Sequence, residues 1–204
     1  DVIIKFSFAF KYSLFKESKE QEYNLTTSFN SNSNLKNRQK YEYSISFYLY
    51  LNPQPNNTSI AYNNEEGTNI FSYGNKPQIL YNGVNQEIII KTQNKQNEYT
   101  KIFESNNPDL DKELKNIVKY QKWQYYVINY DNNVVDVFID GKLVGSQEDV
   151  PPFYDYHDKI EIGEKELEDN GIHGMIKDIY YYNQVKTVNN IEFLYDLTKN
   201  NNYE

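Results

Sequence analysis

Apolar and polar positions alternate along residues 123–147, WQYYVINYDNNVVDVFIDGKLVGSQ, in three short runs. A period of two predicts three strands, over 125–130, 134–139 and 142–146. The tripeptide Asp131-Asn132-Asn133 separates the first two runs, and short polar side chains favour turns. Asp140-Gly141 separates the last two and predicts a type I′ hairpin turn, because both central positions of that turn need positive φ. The stretch therefore predicts three consecutive antiparallel strands.

The same alternation recurs between loops rich in Asn, Pro and Gly. It predicts further strands over 2–15, 23–29, 41–51, 70–73, 78–81, 87–92, 99–104, 159–162 and 171–183. Two segments have helical spacing instead. Asn107 and Pro108 predict the start of a helix over 108–118. Asn189, with Glu192 three residues later, predicts the capped start of a closing helix.

These elements predict one all-β domain over 1–204, an antiparallel two-sheet sandwich with one or two short helices. Residues 16–40 form a polar segment, and 199–204 are expected to be a frayed tail. Hydrophobic residues make up only 38% of the chain. The 21 Tyr and 11 Phe offset this shortage, because each aromatic ring buries a large area.

Charge and composition exclude several function classes. A net charge of −8 disfavours nucleic acid and anionic lipid as partners. With no Cys, disulfides and thiolate catalysis are excluded. No apolar run reaches the ~18 residues of a transmembrane helix. Since the only Met is Met175, the chain is expected to be processed or part of a longer protein, and a membrane segment upstream of Asp1 stays open.

Several motifs occur in the order typical of one family: FYLYLN, FSYG, KWQYYVINYD, VDVFIDGKLV, IEIG and GMIKDIYYYN. Over residues 41–197 this pattern resembles the laminin-G-like branch of the concanavalin A-like jelly rolls. The resemblance implies two antiparallel sheets packed face to face, with the first and last strands adjacent. It also implies that Asp178 is structural, because the matching position in the family ties down loops.

Within this family, the most similar domains are those encoded by large DNA viruses of algae and protists. The similarity lies in the segments FYLYLN, FSYGNKP, VINYD and NGIHG. That resemblance implies a virion protein, a minor capsid component whose partners are other capsid proteins. An extracellular or membrane-anchored location is the alternative. Segment 16–40 and the predicted helix over 108–118 depart from the compact pattern and are candidate partner contacts.

The fold family includes glucanases, in which an acid and a nucleophile flank one sugar bond about 5 Å apart. The nearest approach in this chain is Asp136, Phe138 and Asp140 at alternate positions. Phe occupies the middle position, and the hairpin turn needs Asp140. Glu161 and Glu164 also lack the spacing. We therefore predict a protein that is not an enzyme, with glycoside hydrolysis as a remote alternative.

Calcium is the one metal that the pattern leaves open. Asp131, Asn132, Asn133 and Asp169 offer hard oxygen ligands in turns, although turn geometry alone explains such residues more simply. The only histidines, His157 and His173, fall in different elements, which argues against a histidine metal site. No other cofactor is predicted.

Aromatic residues provide the candidate binding surface. Tyr48 and Tyr50 face outward from their predicted strand, and Tyr180 and Tyr182 fall in the last one. Such rings either stack on glycans or fill a protein interface. Trp123 has two interpretations, a sugar-stacking platform or a core ring that closes the sandwich, and the resemblance favours the second. The hypotheses are thus a non-catalytic structural or interaction module and, alternatively, a glycan-binding lectin, with or without calcium.

Overall fold

The computed structural model describes residues 4–5, 23–24, 42–53, 66–94, 98–110, 114, 117–150, 159–163, 172–182 and 184–199. In these ranges twelve strands form two six-stranded antiparallel sheets. Sheet A contains, in spatial order, β1 (Ile4–Lys5), β12 (Gly174–Tyr182), β3 (Tyr43–Leu51), β8 (Trp123–Asp131), β9 (Val134–Ile139) and β10 (Lys142–Gln147). Sheet B contains β2 (Tyr23–Asn24), β11 (Lys159–Ile162), β4 (Thr68–Tyr73), β5 (Gln78–Asn82), β6 (Glu87–Gln93) and β7 (Tyr99–Glu104).

The predicted all-β jelly-roll sandwich is confirmed. β1 pairs with β12, so the first and last described strands are neighbours, as the resemblance implied. The three-strand stretch pairs consecutively, β8 with β9 and β9 with β10. The turn between β9 and β10 places Asp140 at φ 52° and Gly141 at φ 81°. Both values have the sign that a type I′ turn requires.

Stacked aromatic rings fill the space between the sheets. The ring of Phe47 lies 5.3 Å from Phe71 of the opposite sheet and 5.3 Å from Tyr126 of its own. At one end of the core, Tyr43 stacks on Tyr130 with ring centroids 4.5 Å apart. The Tyr130 hydroxyl donates to Thr92 across the core at 2.9 Å. Aromatic area thus supplies the core burial that the modest hydrophobic fraction lacks.

One long side of the sandwich is closed where β10 approaches β7. The register of β10 shifts between Leu143 and Gly145, which is a β-bulge. Val144 is buried in the core between the sheets. Gly145 lies so close to β7 that an added Cβ would be 2.5 Å from the carbonyl oxygen of Ile102. The absence of a side chain at Gly145 therefore sets how closely the two sheet edges approach.

Helix α1 (Val188–Thr198) follows β12 and packs on the outer face of sheet A. Its Ile191 is fully buried in a second apolar cluster that includes Tyr125 and Phe138. The predicted cap at Asn189 is wrong. Thr187 is the N-cap, in an extended conformation, and its side chain accepts from the Asn190 N–H. The N-cap lies two residues earlier than predicted because a threonine hydroxyl is already available there.

Two polar residues of the outer face hold the connection into α1. Ser44 donates to the Asn129 Oδ1 at 2.6 Å, and its oxygen accepts from the Lys186 N–H at 2.9 Å. The Asn129 Nδ2 donates to the Lys186 carbonyl at 2.8 Å. Both side chains are buried. These bonds fix the path of the chain over sheet A before the helix starts.

The predicted helix over 108–118 is not found at its described positions, where the chain forms turns and bends. The Asn107 Oδ1 accepts from the Asp109 N–H, which makes a local turn compete with the helix. Leu110, Leu114 and Val118 pack against the main core instead. Most of the predicted strand over 2–15, most of segment 16–40 and the tail 200–204 lie outside the described residues; only Ile4–Lys5 and Tyr23–Asn24 of the first two are described, and both are strands. Within the described part of the chain, no helix is long and apolar enough to span a membrane.

Candidate functional site

Helix α1 divides the outer face of sheet A into a covered half and an open half. In the covered half, Tyr48 is only 5% exposed and stacks on Tyr125 with ring centroids 4.9 Å apart. Val127, Phe138 and Ile191 complete this cluster. The prediction that Tyr48 presents its ring to a ligand is therefore not supported by its position, because the helix shields it.

The open half carries four half-buried aromatic rings and two half-buried lysines, which we call the aromatic–lysine surface. Its members are Tyr50, Trp123, Lys177, Tyr180, Tyr182 and Lys186. Strand register brings them together: Tyr50 pairs with Trp123 across β3 and β8, and β12 lies on the other side of β3. The Tyr50 and Trp123 rings are 5.5 Å apart and tilted by 55°. The ring centroids of Tyr180 and Tyr182 lie 6.1 Å apart.

Both lysines of this surface sit over aromatic rings. The Lys177 Nζ lies 4.4 Å from the Trp123 ring centroid and 5.8 Å from that of Tyr48. The Lys186 Nζ lies 3.8 Å from the Tyr182 ring centroid, and burial lowers its pKa. Such cation–π contacts are attractive because the ring face is electronegative. They hold each ammonium group at a defined place on the sheet.

A β-bulge in β12 determines which side chains reach this surface. The register of β12 against β3 shifts between Lys177 and Tyr180, and Asp178 adopts φ 52°. Strict alternation would place Lys177 and Tyr180 on opposite faces. Because of the extra residue, both lie on the outer face while Tyr181 enters the core and packs on Tyr43. Asp178 thus occupies the bulge itself.

The structure corrects the preferred interpretation of Trp123 as a core ring. Trp123 packs with the cluster beneath α1, outside the space between the sheets. Its neighbour Gln124 takes the buried position, accepts from the Lys119 N–H and donates to the Ile117 carbonyl at 2.8 Å. The physical reason is parity, since Trp123 shares a face with Tyr125 and Val127.

The carboxylates considered for catalysis are engaged in local hydrogen bonds. Asp136 accepts from the Ser146 hydroxyl at 2.6 Å. Asp140 accepts from the Tyr125 N–H at 2.9 Å and from the Gln124 Nε2 at 3.0 Å. These bonds tie the Asp140-Gly141 corner to the start of β8. Glu161 pairs with Ser72 in sheet B, and Glu164 lies outside the described residues.

Sheet B contains a pair of neighbouring acidic residues, Glu87 and Glu104, that the sequence spacing did not indicate. Glu87 of β6 is 3% exposed, and burial raises the pKa of its carboxyl. Glu104 of β7 adds to the rise, since its carboxyl is close enough to share a hydrogen bond with Glu87. Asn85 donates to Glu87 at 3.0 Å, and Lys101 donates to Glu104 at 3.1 Å. The two residues are 17 positions apart in sequence, so only strand pairing brings them together.

Among the described residues, the candidate calcium ligands do not form one group. Asp131 and Asn133 lie in the turn between β8 and β9, where Asn132 donates to Asp131 at 2.9 Å. The Asn133 carbonyl accepts from the Val150 N–H. Asp169 and His157 lie outside the described residues. Across the ranges that are described, no three His, Asp or Glu side chains converge as a metal-binding group. His173 is half-buried, and burial lowers its pKa.

A family model with the description "Concanavalin A-like lectin/glucanases superfamily" matches residues 23–192. No curated protein matches the chain at a significant level.

Solved structures with a similar fold include bacterial toxin domains. The botulinum neurotoxin type G receptor-binding domain superposes with a TM-score of 0.57 at 17% identity. The binding domain of botulinum neurotoxin DC in complex with rat synaptotagmin II superposes with a TM-score of 0.57 at 20% sequence identity. The same kind of domain in complex with SialylT superposes with a TM-score of 0.56 at 19% sequence identity. The matches cover 78%, 81% and 79% of this chain but only 38%, 38% and 37% of those chains. At such identities the likeness establishes the fold alone.

Proposed function

This chain belongs to the concanavalin A-like lectin/glucanases superfamily, and we propose that it acts as a non-catalytic binding module. The superfamily name covers both binding and hydrolytic proteins, so membership alone does not choose between them. The observation that carries the proposal is the aromatic–lysine surface on sheet A. Tyr and Trp rings held half-buried on a rigid sheet give large contact area with little loss of side-chain entropy.

The described carboxylates support a role without catalysis. Glycosidases separate their two carboxyl groups by about 5 Å or more, so that a sugar bond or a water fits between them. Glu87 accepts from Asn85 and Glu104 accepts from Lys101, so both carboxylates are engaged by local donors. Asp136 and Asp140 each accept hydrogen bonds from neighbouring strands.

Hydrolysis can be tested directly. The protein is incubated at micromolar concentration with a panel of soluble β-glucans and galactans, and released reducing ends are measured. We expect no release above the rate without protein. Turnover that is lost in both Glu87→Gln and Glu104→Gln would overturn the non-catalytic proposal. Turnover that persists in both variants and stays with the protein through further purification would overturn it as well, with other carboxylates as the catalysts.

We further propose that the module works inside an assembly, as a structural or interaction protein of a virion with capsid proteins as its partners. The support is the similarity of its motifs over residues 41–197 to copies encoded by large DNA viruses. Quantitative mass spectrometry of purified particles from a producing host tests this role. We expect a fixed number of copies per particle that survives washing in salt. Loss of the protein during gradient purification would remove the virion role and leave the binding module.

A glycan-binding lectin is the second candidate, favoured by the half-buried rings of Tyr50 and Trp123. Two of the similar structures are complexes, one with SialylT and one with synaptotagmin II, so glycans and proteins are both reasonable partner classes. A glycan array with and without calcium tests the candidate. Tyr50→Ala should abolish any signal. Tyr99→Ala should not, because Tyr99 is exposed on the other sheet. A blank array in both conditions would leave only protein partners.

A further inference from the structure

The two lysines of the aromatic–lysine surface place positive charge together on a chain of net charge −8. Lys177 and Lys186 contact rings, and within the described ranges neither forms an ion pair. An ammonium group has three donors and no acceptor, so a ring on one side leaves donors for an anion on the other. The surface therefore offers positive charge on a protein whose overall charge is negative.

The charges and rings follow a line along β12. Lys177 pairs with Tyr48, and Tyr182 pairs with Ser44 four residues further along β3. At a rise of about 3.3 Å per residue, the Lys177 and Tyr182 positions are about 13 Å apart. Lys186 sits over Tyr182 at the far end. This length exceeds one sugar ring, so an extended ligand would contact both lysines.

We propose that the aromatic–lysine surface binds an acidic oligosaccharide. Its sugar rings would lie on Tyr50 and Tyr180, and its carboxylate or sulfate groups would pair with Lys186 and with Lys177, which sits over Trp123. This inference rests on the proposed binding function and names the ligand class. Flat, half-buried rings suit the apolar face of a sugar, whereas lysine is depleted in protein–protein interfaces. Because the protein itself supplies the positive charge, binding needs no calcium.

The position of Asp178 makes the proposal more specific. Asp178 lies beside Tyr180, between the two lysines along β12. Its carboxylate would repel an anionic group placed at the middle of the line. Asn also tolerates positive φ, so Asp178→Asn should keep the bulge and remove the repulsion. We expect this variant to bind an acidic oligosaccharide more tightly than the natural chain.

Trp123 is the only Trp in the chain, so its fluorescence reports directly on this surface. The protein is titrated, in the presence of a calcium chelator, with oligogalacturonate, a heparin-derived oligosaccharide and a neutral cello-oligosaccharide of matched length. We expect the acidic ligands to change Trp123 emission and the neutral one not to. Raising the salt concentration should weaken the acidic ligands, because exposed charges are screened.

Variants separate this surface from general charge effects. Lys177→Met and Lys186→Met should each weaken the acidic oligosaccharide about tenfold, measured by calorimetry because the first change also alters Trp123 emission. Lys91→Met is the matched control, since the Lys91 Nζ also lies over a ring, that of Tyr99, at 4.3 Å but on sheet B. Circular dichroism verifies that all variants fold.

Each other result has a defined meaning. Equal binding of neutral and acidic saccharides, or equal losses in Lys91→Met and Lys177→Met, would overturn the inference. So would tighter binding of an oligoglutamate peptide than of any saccharide. If no saccharide binds but a protein partner is lost on Tyr50→Ala, the inference fails and the binding function stands. If Tyr50→Ala affects neither class of ligand, both fail.

Discussion

Gly145 allows the sharpest test of how the sandwich closes. A methyl group at this position would lie 2.5 Å from the Ile102 carbonyl oxygen and 3.3 Å from the Phe103 Cβ. Contacts under 3.0 Å are essentially never seen for a Cβ, so β7 and β10 would have to separate by at least 3.0 − 2.5 = 0.5 Å. The obstacle is a backbone carbonyl, which cannot move aside as a flexible side chain can.

The size of the effect follows from two opposing contributions. Overpacking a tight site typically costs about 1–3 kcal/mol. Replacing Gly by Ala returns about 0.4–1 kcal/mol by restricting the unfolded chain. At the middle of both ranges the net loss for Gly145→Ala is about 1.3 kcal/mol. At about 2–4 °C per kcal/mol for a domain of this size, the melting temperature falls by a few degrees.

Urea denaturation followed by circular dichroism measures this loss. Leu143→Ala on the same strand is the control, because Leu143 is 50% exposed and surface changes usually stay within about 0.5 kcal/mol. In Gly145→Ala, the rate of amide hydrogen exchange should also increase more in β7 and β10 than in β8. A free energy of unfolding for Gly145→Ala within about 0.5 kcal/mol of the natural chain would refute the proposed contact.

Three further substitutions test the site and its supports. Ile191→Ala should cost about 2–5 kcal/mol and raise hydrogen exchange throughout α1, and unchanged exchange there would show that this contact does not hold the helix. Asn129→Ala should cost about 1–3 kcal/mol in urea denaturation, because the Lys186 carbonyl loses its donor and the Ser44 hydroxyl keeps only the Gln184 carbonyl as an acceptor; a neutral result would mean that water replaces the amide. Glu87→Gln should raise the melting temperature at pH 7, since burial raises the pKa of Glu87 in the folded state and ionisation then costs stability. The gain should vanish once the pH falls below the ordinary glutamate pKa, where Glu87 is protonated in both the folded and the unfolded state, and a gain that is constant with pH would contradict this origin.

The sequence alone determined the strands and their class. Alternation with a period of two, the Asp140-Gly141 turn and the order of motifs predicted β8, β9 and β10 nearly to the residue. These signals are local, because a strand with one buried face must alternate and a type I′ turn must carry residues that accept positive φ. The predicted helix over 108–118 is not found at its described positions, because Leu110, Leu114 and Val118 pack on the sandwich core instead.

The binding surface depended on the tertiary structure. No local sequence pattern indicated that α1 would bury Tyr48 and leave Tyr50 half-buried. Nor did any pattern indicate that a bulge at Asp178 would place Lys177 and Tyr180 on the same face of the sheet. Strand pairing alone placed Glu87 beside Glu104. A pattern of alternation specifies that a strand has two faces, but what covers each face is decided by chain segments far away in sequence. The sequence therefore determined the sandwich, and only its packing decided which side chains a ligand can reach.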